Sequence, residues 1–291
     1  MRPIFRDSAG ALRTGWRIAL LLALMAAAII AINVGWKAGG LPGRSTSGPW
    51  AYLAFSVLIS GSLLGIVLWL LRYFENQGSA AIGLPFKPGA WKPVALGTLL
   101  GAIPIALLVW LAVTFGYGTV TFSGASVDAL FGALLPMALT LFVLAAWEEV
   151  FLRGYLFRQL SLGINPTAAV IVSGTLFGLL HAGNPGANWQ GLLYTALGGM
   201  LMGLVLLRSG SLWLLIGYHF GWNATSAGVF GLELSGMQGE ASVFVSTLGG
   251  PEWLSGGAYG FEASLPALGS EMLLLSAVLL YLRTSRRSEP D

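Results

Sequence analysis

The chain has 291 residues, of which 56% are hydrophobic and only 9% charged, and carries a formal net charge of +3. A soluble domain typically carries about 25% charged residues, so the composition excludes an ordinary soluble protein and predicts an all-α, polytopic integral membrane helix bundle. The absence of cysteine excludes disulfides, thiolate metal ligands and a thiol nucleophile. The basic residues flank apolar runs, so they read as topology signals rather than as a nucleic-acid surface.

Apolar stretches long enough to cross ~30 Å of hydrocarbon as helices predict about eight transmembrane spans in a single membrane domain covering 1–291. They fall at 17–36, 50–72, 93–116, 128–150, 167–182, 190–207, 211–230 and 265–283. The first follows Arg2, Arg6, Arg13 and Arg17. It is too long for a signal peptide and has no small-x-small cleavage site, so it is expected to stay as a signal anchor. Segment 73–92, with Pro85 and Pro88 inside it and Pro93 just after it, is expected to form a loop with an interfacial turn. Segment 231–264 is Gly-rich, contains Gly250–Pro251 and is expected to fold over the membrane surface. The glycines elsewhere imply close packing of helices.

The Lys and Arg residues alternate between connections. Arg72, Lys87 and Lys92, then Arg153 and Arg158, then Arg208, then Arg283, Arg286 and Arg287 mark one side together with the N-terminal arm. Connections 117–127 and 183–189 have no base. Segment 231–264 carries Glu233, Glu240, Glu252 and Glu262 with no base. Lys37 and Arg44 in the first loop depart from the pattern. The alternation predicts both termini in the cytoplasm, which requires an even number of spans.

Ionisable side chains within spans are costly and are functional candidates by default. Three clusters stand out. In Glu148-Glu149-Val-Phe-Leu-Arg153, Glu149 and Arg153 are four apart and share a helix face. Glu148 points about 100° away and lacks a local counter-charge. In Phe177-Gly-Leu-Leu-His181 and His219-Phe-Gly-Trp-Asn223, each pair is again one turn apart. Taken singly, these clusters also fit a stop-transfer end, a packing aromatic and a helix–helix hydrogen bond.

Their placement favours one site. If the fourth helix continues to about Leu162 and turns at Gly163-Ile-Asn165 before Pro166, Glu148 and His181 lie roughly 21–23 Å from the hairpin tip on antiparallel neighbours. His219 and Asn223, on the seventh span, are then expected to face them.

The motifs E-E-x-x-x-R, F-x-x-x-H and H-x-x-x-N, in this order on successive spans, resemble the CPBP family, the CAAX protease and bacteriocin-processing (Abi) family of intramembrane proteases. That family includes the type II CAAX prenyl endopeptidases. The resemblance covers roughly 128–230, while residues 1–127 match only in hydropathy. It implies an intramembrane endopeptidase acting on a peptide or membrane-protein substrate. Glu148 is the implied catalytic carboxylate, with His181 helping it hold and activate water. His219 and Asn223 would stabilise the oxyanion, with Glu149, Arg153 and Phe177 in support.

Zinc is an open question. Glu148, His181 and His219 make a two-nitrogen, one-oxygen set that suits a catalytic zinc, yet H-E-x-x-H is absent and family members are also described as working without a tightly held metal. A non-catalytic scaffold or immunity protein, or a transporter, would be the alternative. The family resemblance implies a bacterial cytoplasmic membrane. It leaves substrate, use of prenylated tails and oligomeric state undetermined.

Overall fold

The structure, a computed structural model, describes residues 5, 12–41, 48–239 and 241–285, without side chains for 282–285. Arg2, Arg6, Arg44, Glu240, Arg286 and Arg287, and the side chain of Arg283, lie outside the described residues. Eight long helices follow in chain order: α1 (Thr14–Ala38), α2 (Gly48–Glu75), α3 (Trp91–Thr114), α4 (Val127–Gly163), α5 (Pro166–Leu180), α6 (Trp189–Ser209), α7 (Leu212–Asn223) and α8 (Leu265–Ser285). All eight expected spans are helical. Among the described residues, only α1, α2, α3, α4 and α6 are both long and apolar enough to cross a membrane by themselves. The apolar part of α5, Pro166–Leu180, and of α8, Leu265–Tyr281, is shorter. These short helices are packed into the bundle, and α7 gains length by continuing as a π-helix, Ala224–Val229.

The helix starts follow from side-chain caps. Ser126, Asn165, Asn188 and Ser211 each accept a hydrogen bond from the backbone N–H three residues on, satisfying a donor that the first turn leaves unpaired. Pro166 occupies the first turn of α5, where a missing N–H costs nothing. The α6–α7 turn is only Ser209–Ser211, and it requires Gly210 in the left-handed region at φ 65°.

Large apolar side chains are exposed along the outer faces of α1, α2 and α3, including Ile30, Val34, Leu58, Leu99 and Trp110. In water such faces would be a liability; in lipid they are the expected surface. The inward faces form one core: Leu63, Val67 and Leu70 of α2, Ile105 and Val109 of α3, Leu152 and Tyr155 of α4, and Leu215 and Ile216 of α7. Glycines set the tightest crossing. A Cβ on Gly97 or Gly101 of α3 would lie 2.1 Å from the carbonyl oxygen of Leu214 or Tyr218, and one on Gly217 or Gly221 of α7 within 2.2 Å of an α3 carbonyl. Two Gly-x-x-x-Gly faces are thus pressed backbone to backbone, turning the opposite side of α7 inward.

The connections sort to two ends. At one end, Arg158 donates to the carbonyl of Ala81, the N–H of Leu212 donates to Gly83, and Gly163 abuts Thr14. This end collects the base-rich connections. At the other, β1 (Gly118–Phe122) pairs antiparallel with β2 (Phe244–Leu248), Gly118 opposite Leu248 and Phe122 opposite Phe244. Pro185 and Gly186 there press against Gly236 and Ala258. This end collects the three base-poor connections. The expected loop 231–264 is therefore a compact cap containing β2, the helical turn Glu252–Ser255 and two 3₁₀ turns.

Candidate active site

Helix α4 runs without a break through Glu148 and Glu149 to Gly163, but its hydrogen bonding changes to π over Val150–Leu156, immediately after the two glutamates. Helix α7 does the same over Ala224–Val229, immediately after Asn223. A π segment inserts an extra residue per turn and is frequently found at functional sites. Here the two segments flank a cavity of about 140 Å³ whose walls include Glu148, Phe177, His181, His219 and Asn223. The three motifs therefore meet, and they meet under the 231–264 cap, which adds Leu234, Ser235, Met237 and Glu262 to the wall. The site faces the base-poor end of the bundle, far along α4 from its basic tip.

The pairing of Glu149 is wider than its helical spacing indicates. Its side chain is fully buried, and Oε1 accepts hydrogen bonds from Arg153 Nη1 and from His219 Nδ1, both at 3.1 Å. The first bond is the expected local pair; the second crosses to α7. A carboxylate can only accept, so the proton of this bond sits on Nδ1, and Nε2 of His219 is the nitrogen left for other partners. His181 closes α5 as its C-cap residue. Its Nδ1 lies 2.7 Å from the Phe177 carbonyl oxygen, which likewise fixes the proton on Nδ1 and leaves Nε2 available. Neither orientation can be read from spacing alone.

Phe177 is the hub. Its ring stands edge-on to His181 at 4.9 Å between centroids and to His219 at 5.7 Å. The guanidinium carbon of Arg153 lies 4.1 Å from its centroid, a cation–π contact. Gly199 of α6 makes this stacking feasible: a Cβ there would come 2.6 Å from Arg153 Nη2 and 3.0 Å from the Phe177 ring. Arg153 is 1% exposed, so its charge is compensated by Glu149 and the ring together.

Glu148 contrasts with its neighbour. It is half-buried, lines the cavity and makes no hydrogen bond or ion pair among the described residues. Asn223 likewise lines the cavity with an uncommitted amide.

Among the described residues, no three His, Asp or Glu side chains are gathered as metal ligands. The physical reason is the aromatic wedge: Phe177 stands between the two imidazoles and each Nδ1 anchor holds its ring against a different helix. Glu148, His181 and His219 share a cavity without forming a coordination sphere.

Sequence reasoning missed Tyr218, Trp222, Glu262 and Glu271, all in the cavity wall. Trp222 Nε1 donates to Glu262 at 3.0 Å, and Glu262 also accepts from the N–H and hydroxyl of Ser235, which ties the cap to α7. Tyr218 and Trp222 are one turn apart and adjoin His219 and Asn223, so they were within reach of spacing arguments. Glu271, a lone acid in the last span, was also a visible signal.

Residues 130–225, which hold all three motifs, match the Rce1-like family, described as type II CAAX prenyl endopeptidase Rce1-like. The resemblance carried by the motifs is thus shown over that segment. The uncharacterized protein YyaK of Bacillus subtilis (strain 168) is 27% identical over 196 residues. That alignment spans 64% of this chain and 64% of the relative's length. No solved structure matches the chain.

Proposed function

We propose that this integral membrane protein is a CAAX-type intramembrane endopeptidase that hydrolyses a peptide bond with a water activated by Glu148. The single observation that carries the reading is the convergence of an uncommitted carboxylate and two oriented imidazoles, from three separate helices, on one cavity.

The chemistry follows from the protonation pattern. Glu148 accepts a proton from water, while the free Nε2 of His181 accepts its other O–H and orients it. The water oxygen attacks the scissile carbonyl and a tetrahedral oxyanion forms. The Asn223 amide donates to that oxyanion. His219 donates from Nε2 in its imidazolium form, which the Glu149 carboxylate on Nδ1 stabilises, as a buried acid does for a catalytic histidine elsewhere. Collapse of the intermediate breaks the C–N bond, and the proton held by Glu148 passes to the departing amine. This reading routes no step through a metal, which the lack of a three-ligand cluster among the described residues supports.

The two-ended sorting of connections supports placing the base-rich end, with both chain termini, in the cytoplasm of a bacterial cell. The cavity then opens toward the opposite face or laterally into lipid. The Bacillus relative agrees with a bacterial membrane.

The test is comparative peptide profiling of membranes carrying the wild-type protein or Glu148→Ala. Peptides that accumulate only with the wild type support the reading, and identical profiles defeat it. Elemental analysis of the purified active protein is expected to find well under one zinc per chain at full activity.

A further inference from the structure

We propose that Glu271 is a specificity-determining residue that receives a lysine or arginine side chain of the substrate next to the scissile bond. This rests on the endopeptidase reading and adds a substrate class to it.

Glu271 comes from α8, outside all three motifs, yet lines the same cavity as Glu148 and His219. Its position is built in. A Cβ at Gly198 of α6 would lie 2.5 Å from one carboxylate oxygen and 2.7 Å from the other, so the carboxylate sits in a recess against the Gly198 backbone. Its coordination is thin. Tyr218 donates to Oε1 over 3.5 Å, a long contact, and Oε2 has no hydrogen-bond partner among the described residues. The other carboxylates in the wall are accounted for, Glu262 by Trp222 and Ser235 and Glu148 by the reaction.

The charge balance of the cavity selects the ligand. Three carboxylates line it, and no Lys or Arg does. Arg153, the nearest internal cation, is spent on Glu149 and Phe177. His181 also presents an acceptor nitrogen, and the His219 imidazolium is held by Glu149. A lysine ammonium brings three donors and an arginine guanidinium five, and either forms charge-assisted bonds to a carboxylate. A substrate inserting a free C-terminal carboxylate would meet three like charges and a single cation, His219, that Glu149 already neutralises. The cavity volume, about 140 Å³, is close to that of a pocket that takes one benzene-sized group (~150 Å³), which suits one side chain rather than a folded segment.

The experiment incubates the liposome-reconstituted full chain with a synthetic peptide library randomised at its central positions and sequences the products by mass spectrometry. Wild-type protein is expected to yield Glu148-dependent cuts with Lys or Arg at one fixed position about 10-fold more often than Asp or Glu. In Glu271→Gln the basic-to-neutral ratio at that position should fall to that of the uncut library. If that variant does not insert, Gly198→Ala, which displaces the carboxylate from its recess, reads the same ratio. A wild type without basic preference, or a preference that survives both variants, overturns the assignment while leaving the endopeptidase intact. A library cut equally by Glu148→Ala protein, or left uncut, overturns the endopeptidase reading and this assignment with it.

Discussion

Helix α4 takes part in two buried charge clusters, and they differ in whether they leave a carboxylate free. Near its basic end, Arg158 and Gln159 meet Glu75 of α2, with Arg17 of α1 at 3.6 Å. Both oxygens of Glu75 are engaged: Gln159 donates to one at 2.6 Å and Arg158 to the other at 2.9 Å. Between two and three helical turns before Arg158, roughly 15 Å along the axis at 1.5 Å per residue, Glu148 has no hydrogen-bond or ion-pair partner among the described residues. There Glu149 uses one oxygen twice, while Oε2 and two nitrogens of Arg153 have none. The Glu75 cluster cross-links three helices and leaves its carboxylate nothing to do. The Glu148 cluster leaves its cavity-lining carboxylate, Glu148, without a partner among the described residues. Burying polar atoms unpaired costs stability, and both clusters carry some of that cost, at Arg17 Nε and Gln159 Oε1 as well as at Glu149 and Arg153; only Glu148 adds a carboxylate free for chemistry.

Substitutions at the two clusters should therefore separate activity from stability. The largest effect on rate is expected for Glu148→Gln: cleavage falls by ~10³-fold, while thermal unfolding moves little, because no bond is lost. Glu149→Gln should damage both. Removing the charge that compensates buried Arg153 costs about 3–5 kcal/mol, read as a lower unfolding midpoint in detergent, and the surviving enzyme should be slower by ~10²-fold because His219 loses its anchor. Glu75→Gln should lower stability by about 2–3 kcal/mol, discounted because Arg158 is partly exposed, with turnover per folded molecule within about twofold of wild type. A Glu75 variant as inactive as Glu148→Gln would erase the distinction between the clusters. The smallest expected effect is from Gly199→Ala. Its methyl group crowds Arg153 and Phe177, costing about 1–3 kcal/mol of overpacking, with activity reduced several-fold as the Phe177 ring shifts between the imidazoles.

The basic residues show why one reading needed refinement. Arg17 and Arg158 mark the expected end of the bundle, as charge alternation requires, but they are also ion-pair partners of Glu75. Charge counting sees the side of the membrane and is blind to the partner, since Glu75 lies more than eighty positions from Arg158. The β1–β2 pair was missed for the same reason. Gly118–Phe122 has three consecutive β-branched residues and Phe244–Leu248 has two, Val245 and Thr247, yet only a partner strand far away in sequence gives such short segments a ladder.

What the sequence determined by itself was local. Apolar length set the helices, Ser and Asn caps with Pro166 set their starts, and four-residue spacing put Glu149 with Arg153 and Phe177 with His181 on shared faces. These follow from hydrogen bonds and side-chain neighbours within one or two turns, which every helix repeats in the same way. The tertiary structure decided the rest: the bond from His219 to Glu149 and with it the free nitrogen of His219, the approach of the Phe177 ring to His219, and the arrival of Glu262 and Glu271 in the cavity. Those depend on how closely helices approach through their glycine faces and on where a distant cap folds back. Such contacts join residues tens of positions apart, and no periodicity along the chain encodes them.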